Sequence, residues 1–259
     1  MTARSYKSVF VTQNTIPVVI DFWLEEKDLL GFYECYKDCP VVLISSMDVF
    51  DFLKNHKCPL PIEHWPLSYP DKYGLTNKHY EKKYDFCLLG RPNPFFIRLL
   101  DEYGCKHPTF SYVKSKGSSE NREYITNKGD YIGTDTGRLS YINMIQSTKV
   151  TCYSTPGIDE AKSSTNRFNQ VTPRLFEMLC NECMVIGHYP DTPDVKWYEL
   201  KKYIPNVNSY DEFEAVLDEF LNTDFNYELM NEFVTKHYTS TRAEMLKDIL
   251  LKYNIEIGE

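Results

Sequence analysis

The stretch richest in chemistry is Asn166-Arg-Phe-Asn-Gln-Val-Thr-Pro-Arg-Leu-Phe-Glu177. Thr172 followed by Pro173 specifies a helix start: Thr is a good N-cap, and proline's missing N–H costs nothing at the first helical position. That first turn presents unpaired N–H groups and a partial positive charge, which suits a phosphate. Arg174 adds a planar fork able to hold phosphate oxygens bidentately. Glu177, three residues on, shares a helix face with Arg174, and a carboxylate there can accept hydrogen bonds from both hydroxyls of a ribose. Phosphate donors beside a ribose acceptor are what a nucleoside diphosphate requires. On spacing alone the plainer account is favoured, an ordinary surface Arg–Glu pair worth about 0.2–0.5 kcal/mol. Asn166, Arg167, Asn169 and Gln170 lead into this helix and suit either contact with donor sugar and phosphate or a polar surface loop.

A second helix start follows Gly90 and Arg91, where Asn93 and Pro94 repeat the cap-then-proline pattern. Taken singly, Gly90 reads as a turn glycine and Arg91 as a solvated loop charge. No Asp-x-Asp occurs anywhere in the chain, so a paired-carboxylate site for a divalent ion is not expected, and neither is a cofactor. Cys180-Asn-Glu-Cys183 has zinc-ligand spacing without a convincing second pair, and Cys35 and Cys39 are a poor substitute. Small buried residues flanking a strand account for them better.

Short apolar runs alternate with helical stretches, the signature of a mostly parallel sheet covered by helices. Val9–Val11, Val18–Phe22 and Val41–Ser45 read as strands, with a helix over Asp48–Asn55. Four prolines make Cys58–Tyr73 a linker or pinned loop. A cleaner series begins with a strand over Asp85–Leu89, a helix over Pro94–Tyr103 and a strand over His107–Val113. Ser115–Asn121 reads as a loop, Leu139–Ser147 as a helix and Lys149–Tyr153 as a strand. The Thr172 helix runs to about Asn181, a strand covers Met184–Ile186, and helices follow over Tyr210–Asn222 and Thr241–Tyr253. Such a doubly wound sheet binds ligands at the carboxyl ends of its strands.

Composition narrows the function classes. Hydrophobic residues make up 42% and charged residues 25% of 259 residues, ordinary for a globular protein. The net charge of −8 argues against a nucleic-acid partner. No apolar run reaches the ~18 residues that span a bilayer, and the first residues lack the layout of a signal peptide. Eight cysteines without framework spacing then read as reduced thiols of a cytoplasmic protein.

Val171-Thr-Pro-Arg-Leu-Phe-Glu-Met-Leu-Cys-Asn-Glu-Cys-Met-Val-Ile-Gly187 resembles the signature helix and following strand of bacterial GT-B glycosyltransferases, of the group 1 and CgeB-like kind. Tyr141–Gly157 resembles the helix and strand that precede it there, and Asp85-Phe-Cys-Leu-Leu-Gly-Arg91 the domain's first strand with its glycine turn. Order and spacing agree over roughly residues 83 to 222. Asn181-Glu182-Cys183 departs from the usual small, glycine-containing turn.

The resemblance implies an α/β, GT-B-like fold. Residues 1–80 would form a reduced acceptor-side domain, 81–235 a complete Rossmann-like domain binding the nucleotide sugar, and 236–259 a helix packing across both. Glu177 would then bind the ribose, and Arg174, the Thr172 helix start, Gly90, Arg91 and Asn93 the diphosphate or reaction centre, with Arg167 and Gln170 nearby. Charge on the leaving group is met in this fold by helix dipoles and basic side chains rather than a metal.

The implied activity is transfer of a sugar to a glycan or lipid-linked acceptor in polysaccharide or glycoconjugate assembly. Gln170 at the seventh position before Glu177 mildly disfavours a retaining outcome. Only about 80 residues precede the recognised domain, so the expectation divides between a minimal enzyme and one whose missing half comes from a partner or oligomer; Met1 reads as a natural start. Among base candidates Asp21, Glu25, Asp48, His64 and Asp71, Asp21 follows a strand and His64 sits between the domains, although either also suits a turn or solvated loop. His188 reads as a loop histidine near the donor sugar. The amphipathic C-terminal helix is expected in the core, while Arg242, Lys247 and Lys252 leave contact with the inner face of the membrane open. A donor-binding scaffold and a sugar-nucleotide epimerase are the alternatives.

Overall fold

A computed structural model describes residues 15–90, 93–117, 122–160 and 168–256. The strand expected at Val9–Val11 lies outside them. Two sheets organise the chain. The smaller holds β1 (Val18–Val19), β2 (Val42–Ile44) and β3 (Ile62–His64), all parallel in the order β1-β2-β3. The helices α1 (Leu29–Tyr36) and α2 (Met47–Asn55) connect them. Central β2 is buried throughout, as an apolar Val-Leu-Ile run between two neighbours should be.

The larger sheet has the order β7-β6-β5-β4-β8-β9. Its parallel part comprises β4 (Tyr84–Leu88), β5 (Tyr112–Lys116), β8 (Thr148–Ser154) and β9 (Met184–His188), joined through α3 (Pro94–Lys106), α4 (Arg138–Gln146) and α5 (Pro173–Cys180). The chain leaves β4 for β5 on one side and returns to β8 on the other, so the strand order reverses at β4. Such a switch point opens a crevice at the strands' carboxyl ends.

Between β5 and α4 an antiparallel hairpin, β6 (Glu123–Thr126) and β7 (Tyr131–Thr134), extends the sheet. Gly129, at φ +99°, supplies the left-handed residue of its turn. The helices α6 (Pro193–Trp197), α7 (Leu200–Tyr203), α8 (Tyr210–Asn222), α9 (Tyr227–Thr235) and α10 (Thr239–Lys252) complete the chain.

Several expectations shift. Pro59 and Pro61 do not keep Cys58–Tyr73 irregular: β3 forms there as an edge strand, where a proline before its first residue removes no needed donor. The strand after α3 begins at Tyr112 rather than His107, and the expected loop from Ser115 is still strand through Lys116. The hairpin, α1, α6, α7 and α9 are additional to the sequence reading.

Packing explains why α5 is fixed where it is. Leu175, Phe176, Met178 and Leu179 are each at most 1% exposed, so nearly every apolar residue of the helix is in the core. The small sheet has its own core around Phe22, Phe32, Ile44 and Leu53. The last helix, α10, lies on that sheet: Met245, Leu246 and Ile249 pack with Val41 and Leu43, and Lys252 bonds Glu63 at 2.5 Å. Arg242 does not face outward as a membrane contact. It is 3% exposed, lies over Trp197 and donates to the Lys236 carbonyl at 3.0 Å. No helix among the described residues is long and apolar enough to cross a membrane.

Two carboxylates tie the sheets together. Asp48 Oδ1 accepts the Asp194 N–H at 2.8 Å, and Asp194 Oδ1 accepts the Met47 N–H at 2.6 Å. Each acid therefore satisfies a free donor at the start of the helix that carries the other. Their second oxygens accept the Asn169 N–H at 3.0 Å and the Val171 N–H at 2.5 Å. Asp194 is fully buried, and burial, against those hydrogen bonds, pushes its carboxyl up to about 7.

Candidate nucleotide cleft

A cavity of about 640 Å³ opens at the carboxyl end of β4, lined by Gly90, Tyr141, Arg174 and Glu177 and by Arg122, Asp135 and Arg138 from the hairpin and its exit. Three arginines face two carboxylates there, a cationic surplus in a chain of net charge −8. A second cavity, of about 480 Å³, lies among α7, α8 and α9 near the amino end of β9, away from the strand ends where ligands of such sheets bind.

Gly90 and Arg174 fit each other. Gly90 sits at φ +75°, a conformation glycine adopts without steric cost. A Cβ there would stand 2.8 Å from Arg174 Nη1, so the backbone approaches the guanidinium as closely as it can. Arg174 in turn donates to the Leu89 carbonyl, one residue before the turn. Its Nε is buried with no hydrogen-bond partner among the described residues. The cation is held by one edge and offers the remainder to the cleft.

Glu177 is 5% exposed. It does not pair with Arg174 as the i,i+3 spacing allows; its Oε1 meets the Arg138 guanidinium, which reaches in from α4. Burial raises its carboxyl above the usual carboxylate range, while Arg138, Arg174 and Tyr141 oppose that shift. Glu177 is thus a buried carboxylate with cationic neighbours, the environment in which functional carboxylates with perturbed pKa values concentrate. Asn93, at the start of α3, is not among the lining residues: its Oδ1 accepts the Phe95 N–H at 2.8 Å, and its buried Nδ2 has no partner among the described residues.

Other expected residues are employed differently. Gln170 donates to Ser45 Oγ at 2.6 Å, so it pins the two sheets rather than facing the cleft. Asn169 accepts from Thr155 Oγ1 at 2.7 Å. Thr172 lines the cleft, but its side chain does not cap α5; its N–H donates to Tyr153 Oη at 2.9 Å. Arg91, Asn166 and Arg167 lie outside the described residues. His64 ends β3, 7% exposed, against Phe50 and Trp197. Among the described residues neither of its nitrogens makes a full hydrogen bond, and burial followed by the charge of Arg242 lowers its pKa to about 4. His64 is packed between these rings and is not among the residues lining the cleft. Asp21 is half-buried just past β1, at the edge where Ser45 meets Gln170.

His188 is no loop residue. It closes β9, stacks on Phe95 at 3.9 Å, and bonds Asp159 Oδ2 through Nε2 at 2.7 Å. Cys180 and Cys183 are buried free thiols, and among the described residues no cluster of three potential metal ligands occurs.

Among solved structures, the chain is similar to a GtfA/B complex, with TM-score 0.54 at 12% identity over 88% of this chain and 47% of that one. It is also similar to sucrose-phosphate synthase from Thermosynechococcus elongatus, with TM-score 0.57 at 10% identity over 88% and 62%. The pneumococcal O-GlcNAc transferase GtfA, solved with UDP and GlcNAc, gives 0.53 at 11% over 89% and 48%. The chain has a GT-B glycosyltransferase fold. It spans between about half and three-fifths of the length of these neighbours. No protein-family model and no curated protein matches it in sequence, and nothing in the comparisons supports the narrower CgeB-like assignment.

Proposed function

We propose that the chain is a glycosyltransferase that binds a nucleotide sugar in the Gly90–Arg174–Glu177 cleft and transfers the sugar to a glycan or lipid-linked acceptor. The observation that carries this reading is Glu177: a buried carboxylate, flanked by arginines, at the switch point of a GT-B sheet. Glu177 takes the two ribose hydroxyls. Arg174, with the free N–H groups at the starts of α5 and α3, takes the diphosphate and stabilises the negative charge that grows on it as the glycosidic bond breaks. That arrangement supplies leaving-group stabilisation from the chain's own cations, consistent with a sequence that lacks Asp-x-Asp. Asp21, just past the edge strand β1, remains the acceptor-side candidate for general base.

A second reading, a donor-binding subunit that acts only with a partner, has support in GtfA/B having been solved as a complex. Calorimetric titration with UDP, GDP, dTDP and CMP tests the donor site that both readings share. One nucleotide binds the wild-type chain, and Glu177→Ala abolishes that binding. If a folded chain binds none of the four, the donor-site reading is wrong. Hydrolysis or transfer of the matching nucleotide sugar by the isolated chain then separates enzyme from subunit.

A further inference from the structure

Arg138 stands at the first position of α4, directly after Gly137, and its side chain is 68% exposed. Its guanidinium nonetheless reaches the side chain of Glu177, which is only 6% exposed. Both residues line the same cavity as Gly90 and Arg174. Arg138 therefore offsets, with Arg174 and Tyr141, the cost of burying the Glu177 carboxylate.

The carboxylate Arg138 holds is the one the donor needs. Ribose hydroxyls that engage Glu177 compete with the guanidinium for its Oε1. Most of the Arg138 side chain lies in solvent, so it can swing without disturbing the core, and Gly137 before it sits at φ +120° with nothing within 4 Å of a Cβ built there. The anion that arrives with the ribose is the donor's diphosphate, at the start of α5 in the same cavity. A guanidinium binds phosphate through the same bidentate fork with which it binds a carboxylate.

We infer that Arg138 is a switching ligand, paired with Glu177 when the cleft is empty and with the donor's diphosphate when it is full. This rests on the donor-site reading above and deepens it. The exchange couples the two halves of the ligand. A nucleoside competes for the Arg138–Glu177 pair and offers the guanidinium nothing in return, whereas a nucleoside diphosphate offers it a second anion. Arg138 thus acts as a selectivity residue for the diphosphate form.

The test is calorimetric titration of the wild-type, Arg138→Gln and Arg138→Lys chains with UDP, GDP, dTDP and CDP, and with the four matching nucleosides measured by competition at millimolar concentration. In Arg138→Gln the diphosphate that binds the wild type should bind at least tenfold more weakly, while its nucleoside binds equally well or more tightly. Arg138→Lys, which keeps a point charge without the fork, should recover part of the diphosphate preference. Equal shifts for diphosphate and nucleoside, or no shift in either, overturn the switch and leave the donor site standing. Absence of binding by the folded wild-type chain to all four diphosphates overturns the donor-site reading, and the switch with it. Circular dichroism of each variant excludes misfolding, which the exposure of Arg138 makes unexpected.

Discussion

The contact between Gly90 and Arg174 makes Gly90→Ala a sharp perturbation. A methyl group there meets two costs. The backbone is at φ +75°, where an L side chain costs roughly 1–2 kcal/mol. The new Cβ would also stand 2.8 Å from Nη1 and 3.1 Å from Cζ of Arg174, so the guanidinium must retreat. Its flexible stem makes the retreat easy, but the charge-assisted bond to the Leu89 carbonyl is lost with it, at roughly 1.5–3 kcal/mol. In the folded protein the sum is about 2.5–5 kcal/mol, part of which relaxation will recover.

For the ligand, a displaced Arg174 forfeits a similar charge-assisted contact to the diphosphate, and about 1.4 kcal/mol is a factor of ten in affinity. Diphosphate affinity should therefore fall about tenfold to a hundredfold, as read by calorimetry, with stability followed in parallel by urea unfolding. Because the effect passes through Arg174, the double variant Gly90→Ala/Arg174→Ala should bind no more weakly than Arg174→Ala alone. Unchanged diphosphate affinity in a folded Gly90→Ala chain, or strictly additive losses in the double variant, would refute the argument.

Two further predictions concern the joint between the sheets. Asp194, with its carboxyl raised to about 7 chiefly by burial, keeps its proton in the folded chain over a range where the unfolded chain has lost it. Its contribution is fully present below about pH 3.8 and is lost as pH rises through about 7, up to about 1.4 kcal/mol per pH unit. Asp48 faces it with a carboxyl also raised by burial, and His64 and His237, lowered to about 4 and about 3, titrate in the opposite sense. The difference curve between Asp194→Asn and wild type therefore isolates the term: between pH 5 and 7 the variant's thermal stability relative to wild type should rise with pH, by up to about 1.4 kcal/mol per unit, and parallel curves would overturn the assignment. His64→Leu removes a buried ring that has no full hydrogen bond, so stability should be unchanged or higher by about 1 kcal/mol with donor affinity unaltered; loss of donor binding by a folded variant would return His64 to the site.

The parallel part of the large sheet was readable because each strand there is a short apolar run followed by a helix start with its own local chemistry. Asn93-Pro94 and Thr172-Pro173 locate α3 and α5 within a residue or two. The hairpin was not readable. Glu123–Thr126 and Tyr131–Thr134 are only four residues each and mix Tyr and Ile with polar residues, too short for a period to show, and pairing of β6 with β5 and of β7 with β6 fixes them. Arg122, Asp135 and Arg138 were missed with it, although an Asp-x-Gly-Arg sequence before a helix was the available signal. The spacing of Arg174 and Glu177 suggested that they pair; the fold instead gives each a different partner, Leu89 and Arg138, supplied from strands and helices far along the chain. Local sequence locates a helix face, and only topology says what faces it.

The five residues 168–172 connect these observations. Phe168 packs among Phe22 and Phe52 in the core of the small sheet. Asn169, Gln170 and Val171 bond Asp48, Ser45 and Asp194, and Thr172 opens α5 in the cleft. The segment is thus a tether, anchored in one sheet and ending at the helix start that carries Arg174. So short a segment, with three successive residues fixed, leaves little slack for one sheet to rotate against the other without moving that helix start. The reciprocal caps of Asp48 and Asp194 add a second constraint across the same joint. On the proposed donor reading, the cleft of this chain would respond to its ligand through side chains at its mouth more than by rotation of the two sheets. Of the cleft's two cations on α4 and α5, Arg174 is held at its base by Leu89 and Gly90, while Arg138 is free to solvent along most of its length. On that reading, recognition of the diphosphate would divide between a cation already fixed, Arg174, and one with room to move, Arg138.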